Sequence, residues 1–120
     1  MKILAVDYST YRVSDLAKSM DFYQNILGLK LTASGEGWAE FETSNLAIAL
    51  VAGGKKNADK SGAGVALAVA DIETTLAELK KKGIKVQNET WETPVCYGAS
   101  IQDPDGNAIY FHKRKDGTVG

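Results

Sequence analysis

One cysteine, one histidine and two prolines are all the chain contains of those residue types in 120 residues. The lone Cys96 rules out an intrachain disulfide and suits a reducing compartment. With no histidine or basic residue beside it in sequence to favour its thiolate, it is expected to be unreactive. No apolar run approaches the roughly 20 residues that a membrane span needs. The opening MKILAVDYSTYR lacks the apolar stretch of a secretory signal, which points to the cytoplasm. A net charge of −1 carries no excess of basic residues and argues against nucleic acid as partner. What remains is ordinary: 44% hydrophobic and 24% charged residues in a length suited to one soluble domain, 1–120, with a core of its own.

Two stretches match each other. VSDLAKSMDFYQNILGLKL (13–31) and VADIETTLAELKKKGIKV (69–86) both open Val-x-Asp-aliphatic, continue with helical spacing and close Gly-aliphatic-Lys-aliphatic. The offset is 56 at the first valine (13 to 69) and 55 at the end (31 to 86), so one residue was gained or lost between two copies. In the first helix Leu16, Met20, Tyr23 and Leu27 fall on one face. Ser14 or Asp15 can cap its start, and Gly28 can take the left-handed conformation that ends it. In the second, Ile72, Leu76 and Leu79 share a face, Asp71 caps and Gly83 stops the helix. Lys80, Lys81 and Lys82 complement the negative end of the helix dipole and form a solvated face.

Strands are expected around the helices: 4–12 and 63–69 before them, then 29–34, 37–43 and 46–52 in the first copy, and 84–90, 96–102 and 107–113 in the second. The chain then divides into repeat 1 (1–52), a polar linker (53–62), repeat 2 (63–113) and a fraying tail (114–120). The segment DPDGN (103–107) is a turn, with proline presetting φ and glycine supplying φ > 0. Alternation after it sets Ala108, Tyr110 and His112 on one face and Ile109 and Phe111 on the other.

A doubled strand–helix–three-strand unit with FYQNILGL in one half and DPDGN in the other resembles the vicinal oxygen chelate superfamily of glyoxalases, bleomycin-resistance proteins and dioxygenases. The resemblance implies an α+β fold in which two βαβββ units pair into a curved mixed sheet around a central cup, within one chain or swapped between two. It also implies a homodimer. Enzymes of that group hold a divalent ion with four His, Glu or Gln side chains. Carried over position by position, those sites fall on Tyr8, on Ala47 or Ala49, on Gly64 and on Tyr110. None is a usual ligand, since such ions need imidazole or carboxylate donors. No metal and no other cofactor is expected.

The inward-facing inventory suits a small molecule instead. Tyr8, Thr10 and Arg12 share a face of the opening strand, with Arg12 expected in a rim ion pair. Trp38, Glu40 and Glu42 share another, and Gly98, Ser100 and Gln102 a third. Ala47, Ala49, Val51, Gly64, Ala66 and Ala68 leave volume; the same small residues would also permit close packing of sheets or subunits. The candidate ligand-binding set is Tyr8, Thr10, Trp38, Glu40, Ser100, Gln102, Tyr110 and His112: flat rings to stack on and a few orienting polar groups. Glu36, Glu40 and Glu42 would favour a cationic ligand. No catalytic residue is assigned. His112 is the one candidate whose residue type suits acid–base work near neutral pH, but no carboxylate orients it in the sequence. The function expected is metal-free binding of a planar or cationic small molecule, as in drug-sequestering bleomycin-resistance proteins. A glyoxalase- or dioxygenase-like enzyme is the alternative. The facing of Trp91 and Tyr97 stays open.

Overall fold

The computed structural model describes Lys2, Leu4, residues 7–55 and residues 64–119. The chain divides into two compact units, Met1–Ala58 and Asp59–Gly120. Each has the same element order. The first runs β1 (Tyr8–Val13), α1 (Leu16–Asp21), β2 (Lys30–Gly35), β3 (Trp38–Glu42) and β4 (Ala47–Ala52). The second runs β5 (Gly64–Ala68), α2 (Ile72–Lys81), β6 (Val86–Glu92), β7 (Cys96–Gln102) and β8 (Ala108–Arg114). The βαβββ repeat is therefore real, and the architecture is α+β. Each unit carries its own four-stranded mixed sheet, ordered β1-β4-β3-β2 and β5-β8-β7-β6, with one parallel pair in each.

The opening strand starts later than the sequence suggested. It begins at Tyr8, with Leu4 and Asp7 outside it. In the expected linker only Gly53, Gly54 and Lys55 are described; residues 56–62 lie outside the described set. Arg114 Nη1 donates to Thr118 Oγ1 at 3.1 Å and Thr118 N–H to Asp116 Oδ1 at 2.9 Å, folding the tail into a turn. The two Thr118 donors hold the Asp116 carboxyl below the usual carboxylate range.

Both helices start as their sequences require. Asp15 accepts from Lys18 N–H at 3.1 Å, and Asp71 accepts from Thr74 N–H at 2.8 Å and Thr74 Oγ1 at 2.5 Å. These side-chain oxygens satisfy amides that the helix leaves unpaired at its first turn. The Thr74 bonds hold the Asp71 carboxyl below its usual range. Gly83, at φ 78°, ends α2, and Ile84 N–H bonds back to the Leu79 carbonyl at 3.0 Å. The face Ile72, Leu76, Leu79 is buried as its spacing predicts. Of the lysines, Lys80 pairs with Glu89 at 3.0 Å across to β6 and Lys82 with Glu78 at 3.6 Å along the helix.

The first helix departs from regular spacing. After Asp21 the chain opens into a π-helical turn, Phe22–Ile26, with Leu27 N–H bonding to the Phe22 carbonyl and Leu29 N–H to the Tyr23 carbonyl, both at 3.0 Å. The wider turn advances the side chains and buries two consecutive aromatics, Phe22 and Tyr23, where a 3.6-residue period would bury only one. The expected face Leu16, Met20, Leu27 is accordingly half-buried, and Tyr23 is its one fully buried member. Tyr23 sits within a ring cluster, with centroids 6.3 Å from Tyr11, 5.4 Å from Phe22 and 5.9 Å from Phe41.

Ser19, one turn before Tyr23, is wholly buried, and its hydroxyl has no hydrogen-bond partner among the described residues. An orphaned buried hydroxyl costs more than the methyl that would replace it. Ser19→Ala is expected to stabilise the protein by about 1 kcal/mol, read as a higher urea midpoint at unchanged slope. A lower midpoint would mean that Ser19 has a partner.

Alternation in each sheet assigns one face to the helix. Tyr11, Val13, Ala39, Phe41, Ile48 and Leu50 are buried on the helix side of the first sheet, and Ala99, Ile101, Ile109 and Phe111 on that of the second. The opposite faces carry the candidate residues.

Candidate functional site

The helix-free face of the first sheet is ordered in rows by strand register. Tyr8, Ala47 and Glu42 lie side by side, then Thr10, Ala49 and Glu40, then Arg12, Val51 and Trp38. The inward set expected for this half is thus brought onto one face. Thr10 and Tyr8 are exposed, Glu40 is half-buried, and Trp38 is 40% exposed. Arg12 makes no ion pair among the described residues, against the expectation of a rim pair; the row places it beside Val51 and Trp38, away from the carboxylates. Beside the first two rows the surface forms a concavity of about 480 Å3, lined by Asp7, Tyr8, Glu40, Glu42, Asn45 and Ala47 among others. Three carboxylates and one phenol ring around a single hollow give it a negative potential. Asn45 was not singled out in the sequence because it lies between the expected strands, and Asp7 because alternation in the expected strand 4–12 turned it away from Tyr8, Thr10 and Arg12.

The second sheet repeats the arrangement. Gly64, Ala108 and Gln102 form one row, Ala66, Tyr110, Ser100 and Asn88 the next, and Ala68, His112, Gly98 and Trp91 the third. Ser100 is 2% exposed; Gln102, Tyr110 and His112 are half-buried. Neither register neighbour of His112 is a carboxylate. Tyr97 alternates onto the other face with Ala99 and Ile101, and Lys115 Nζ lies 5.1 Å from its ring centre.

Trp91 is placed by an irregularity. The register of β6 against β7 shifts between Val86 and Asn88 and again between Asn88 and Trp91. The extra residue turns Trp91, an odd-numbered position, onto the same face as the even-numbered Asn88. Its ring then lies against Gly98, where a Cβ would come within 2.6 Å of Trp91 Cε2. The same device, with the partners exchanged, occurs in the first sheet. Trp38 on β3 covers Gly35 on β2, where a Cβ would lie 2.7 Å from Trp38 Cε2. Tyr110 likewise crosses Gly64, with 2.9 Å from a Cβ there to Tyr110 Cε2. In each case the absent side chain lets the ring approach the backbone closely. Trp91 remains 38% exposed and Trp38 40%, so each indole keeps surface in contact with solvent.

The four positions at which the resemblance implies metal ligands were tested by their donors. Tyr8 faces Ala47 in register, Ala49 sits between Thr10 and Glu40, and Gly64 offers no side chain and lies under Tyr110. Two phenols, a methyl and a bare backbone do not fit a divalent ion. No group of three His, Cys, Asp or Glu side chains suited to a metal occurs among the described residues.

Comparison with known proteins agrees with the fold. The family model for the Glyoxalase/Bleomycin resistance protein/Dioxygenase superfamily matches residues 5–111. Over 128 aligned residues the chain is 30% identical to a lactoylglutathione lyase of Neisseria meningitidis serogroup A, spanning 92% of this chain and 91% of that protein. TnmS3, an antibiotic binding protein from Streptomyces sp. CB03234, superposes with a TM-score of 0.76 at 27% identity, covering 96% of this chain and 99% of that one. A Bacillus anthracis protein assigned to the glyoxalase family superposes at 0.81 with 24% identity over 96% and 98% of the two chains, a likeness of fold alone.

Proposed function

The chain belongs to the Glyoxalase/Bleomycin resistance protein/Dioxygenase superfamily, and within it we propose a metal-free protein that binds a planar or cationic small molecule on the helix-free face of a sheet and performs no chemistry on it. The observation that carries this reading is the seating of Trp38 on Gly35 and of Trp91 on Gly98. A tryptophan seated on a glycine and left partly open offers surface on which another ring can stack. Within each sheet small residues, Ala47 and Ala49 in the first and Ala66 and Ala68 in the second, leave space on the same face as the ring. Asp7, Glu40 and Glu42 supply the negative charge that a cation would meet. The similarity to TnmS3, an antibiotic binding protein, supports the same reading. We take the protein to act in the cytoplasm as a homodimer.

Isothermal titration with proflavine, a planar cation, and with bleomycin tests the proposal. At least one is expected to bind with a Kd below about 1 mM, equivalent to roughly −4 kcal/mol, and the proflavine affinity is expected to fall with added salt. Failure of both to bind at that level would overturn it.

An enzyme acting on a small substrate is the second reading, favoured by the 30% identity to a lactoylglutathione lyase. It would require donors other than those at Tyr8, Ala47, Ala49, Gly64 and Tyr110. Elemental analysis of protein purified without chelator separates the two. Stoichiometric nickel, zinc, iron or manganese would favour the enzyme; sub-stoichiometric metal, with ligand affinity unchanged by EDTA, is the expected result.

A further inference from the structure

Two adjacent rows of the second sheet differ in character. One ends on the open Trp91 ring; the next holds a polar pair, in which Asn88 Nδ2 donates to Ser100 Oγ at 2.7 Å. Asn88 is exposed on the edge strand β6, whereas Ser100 is 2% exposed on β7. No other side-chain partner is recorded for either among the described residues, so the bond leaves capacity unused on both. Among the described residues the Asn88 carbonyl oxygen meets no donor, and its second N–H and the Ser100 hydroxyl proton meet no acceptor. With the amide turned the other way, the pair still offers an outward donor and an outward acceptor. A buried hydroxyl that anchors an exposed amide fixes that amide's direction, and this distinguishes Asn88 from a freely rotating surface side chain.

We propose that Asn88, positioned by Ser100, reads the edge of the bound ring, and that the ligand class is a fused planar heterocycle with a lactam-type N–H/C=O edge. The inference rests on the planar-ligand reading above and adds its polar specificity. The geometry follows from the sheet. Gly98 and Ser100 are two residues apart on β7, which separates the Trp91 row from the Asn88 row by about 7 Å. A fused ring system stacked on Trp91 extends across that interval and presents its edge to Asn88. A primary-amide side chain pairs with an adjacent N–H and C=O through two antiparallel hydrogen bonds, the complementarity by which such side chains read base edges. A site built to hydrogen-bond a polar edge rejects the analogue lacking it, because its own groups are then left unpaired.

The test uses the full chain and two probes of nearly the same shape, isoquinolin-1(2H)-one and its N-methyl derivative, which keeps the carbonyl and loses the donor. Calorimetry or tryptophan quenching is expected to give at least tenfold tighter binding of the N–H compound to the wild type. Asn88→Ala is expected to bring the two affinities together while leaving binding of the N-methyl compound within about twofold. Trp91→Leu is expected to weaken both equally. Ser100→Ala, which frees the amide without removing it, is expected to reduce the preference only in part. Equal affinity of the wild type for both probes, or a preference that survives Asn88→Ala, would overturn this inference alone. If neither probe binds the wild type while proflavine or bleomycin does, the lactam edge is wrong and the stacking reading stands. If nothing binds, both fall. An unchanged thermal midpoint of Asn88→Ala and Ser100→Ala is the check that the sheet edge is intact.

Discussion

Tyr23→Ala is expected to lower the unfolding free energy by about 3–5 kcal/mol, the range measured for truncating large buried aromatics. Tyr23 is wholly buried and meets three other rings, those of Tyr11, Phe22 and Phe41. These come from β1, the π-turn and β3, so one truncation loosens the helix and two strands together. Domains of this size are held by only about 5–15 kcal/mol, and the variant is expected to be partly unfolded at 37 °C. The measurement is the urea midpoint with its slope. Tyr23→Phe keeps the ring contacts and is expected to cost much less. Equal losses in the two variants would mean that the hydroxyl, and not the ring cluster, holds this region together.

Gly98→Val is the second large effect, and it separates site from scaffold. The new Cβ would fall within 2.6 Å of Trp91 Cε2, so the indole must leave its seat. Overpacking of this kind costs about 1–3 kcal/mol, and the edge strand β6 absorbs part of it because nothing pairs with its outer side within the sheet. Binding of a planar ligand is expected to fall by two- to tenfold, corresponding to the roughly 0.5–1.5 kcal/mol of an aromatic stacking contact. Near-ultraviolet circular dichroism should lose the tryptophan contribution of a ring fixed on the sheet. Gly35→Val makes the same test on Trp38. If Gly98→Val keeps both the ligand affinity and the dichroism, Trp91 is not held by the glycine and the stacking argument fails for the second sheet.

The two halves solve one packing problem with exchanged parts. In the first, tryptophan is on β3 and glycine on β2; in the second, tryptophan is on β6 and glycine on β7. A cross-strand glycine that receives an aromatic ring recovers the packing that the missing side chain forfeits. Seen in the sequence, Gly98 is only an inward glycine and Trp91 only a tryptophan of undecided facing. Their relation depends on a register shift, and a shift leaves no local signature that strand alternation can detect.

The order of the elements and the second helix with its cap and buried face follow from patterns within a few residues: hydrophobic period, an aspartate before each helix, a glycine after it; the repeat follows from matching two such stretches, and the α+β class came with the family resemblance. These are local decisions, and the chain makes them locally. The absence of imidazole and carboxylate at Tyr8, Ala47, Ala49, Gly64 and Tyr110 is likewise written in the residue types themselves. What the tertiary structure decided was wherever one extra residue changes direction. The π-turn buried Phe22 beside the expected Tyr23 and left Leu16, Met20 and Leu27 half-buried, and the shifts in β6 turned Trp91 onto the face of Asn88. Such insertions are tolerated only because distant partners, Tyr11 and Phe41 for the helix and Gly98 for the strand, provide the space, and nothing next to them in sequence reports that space.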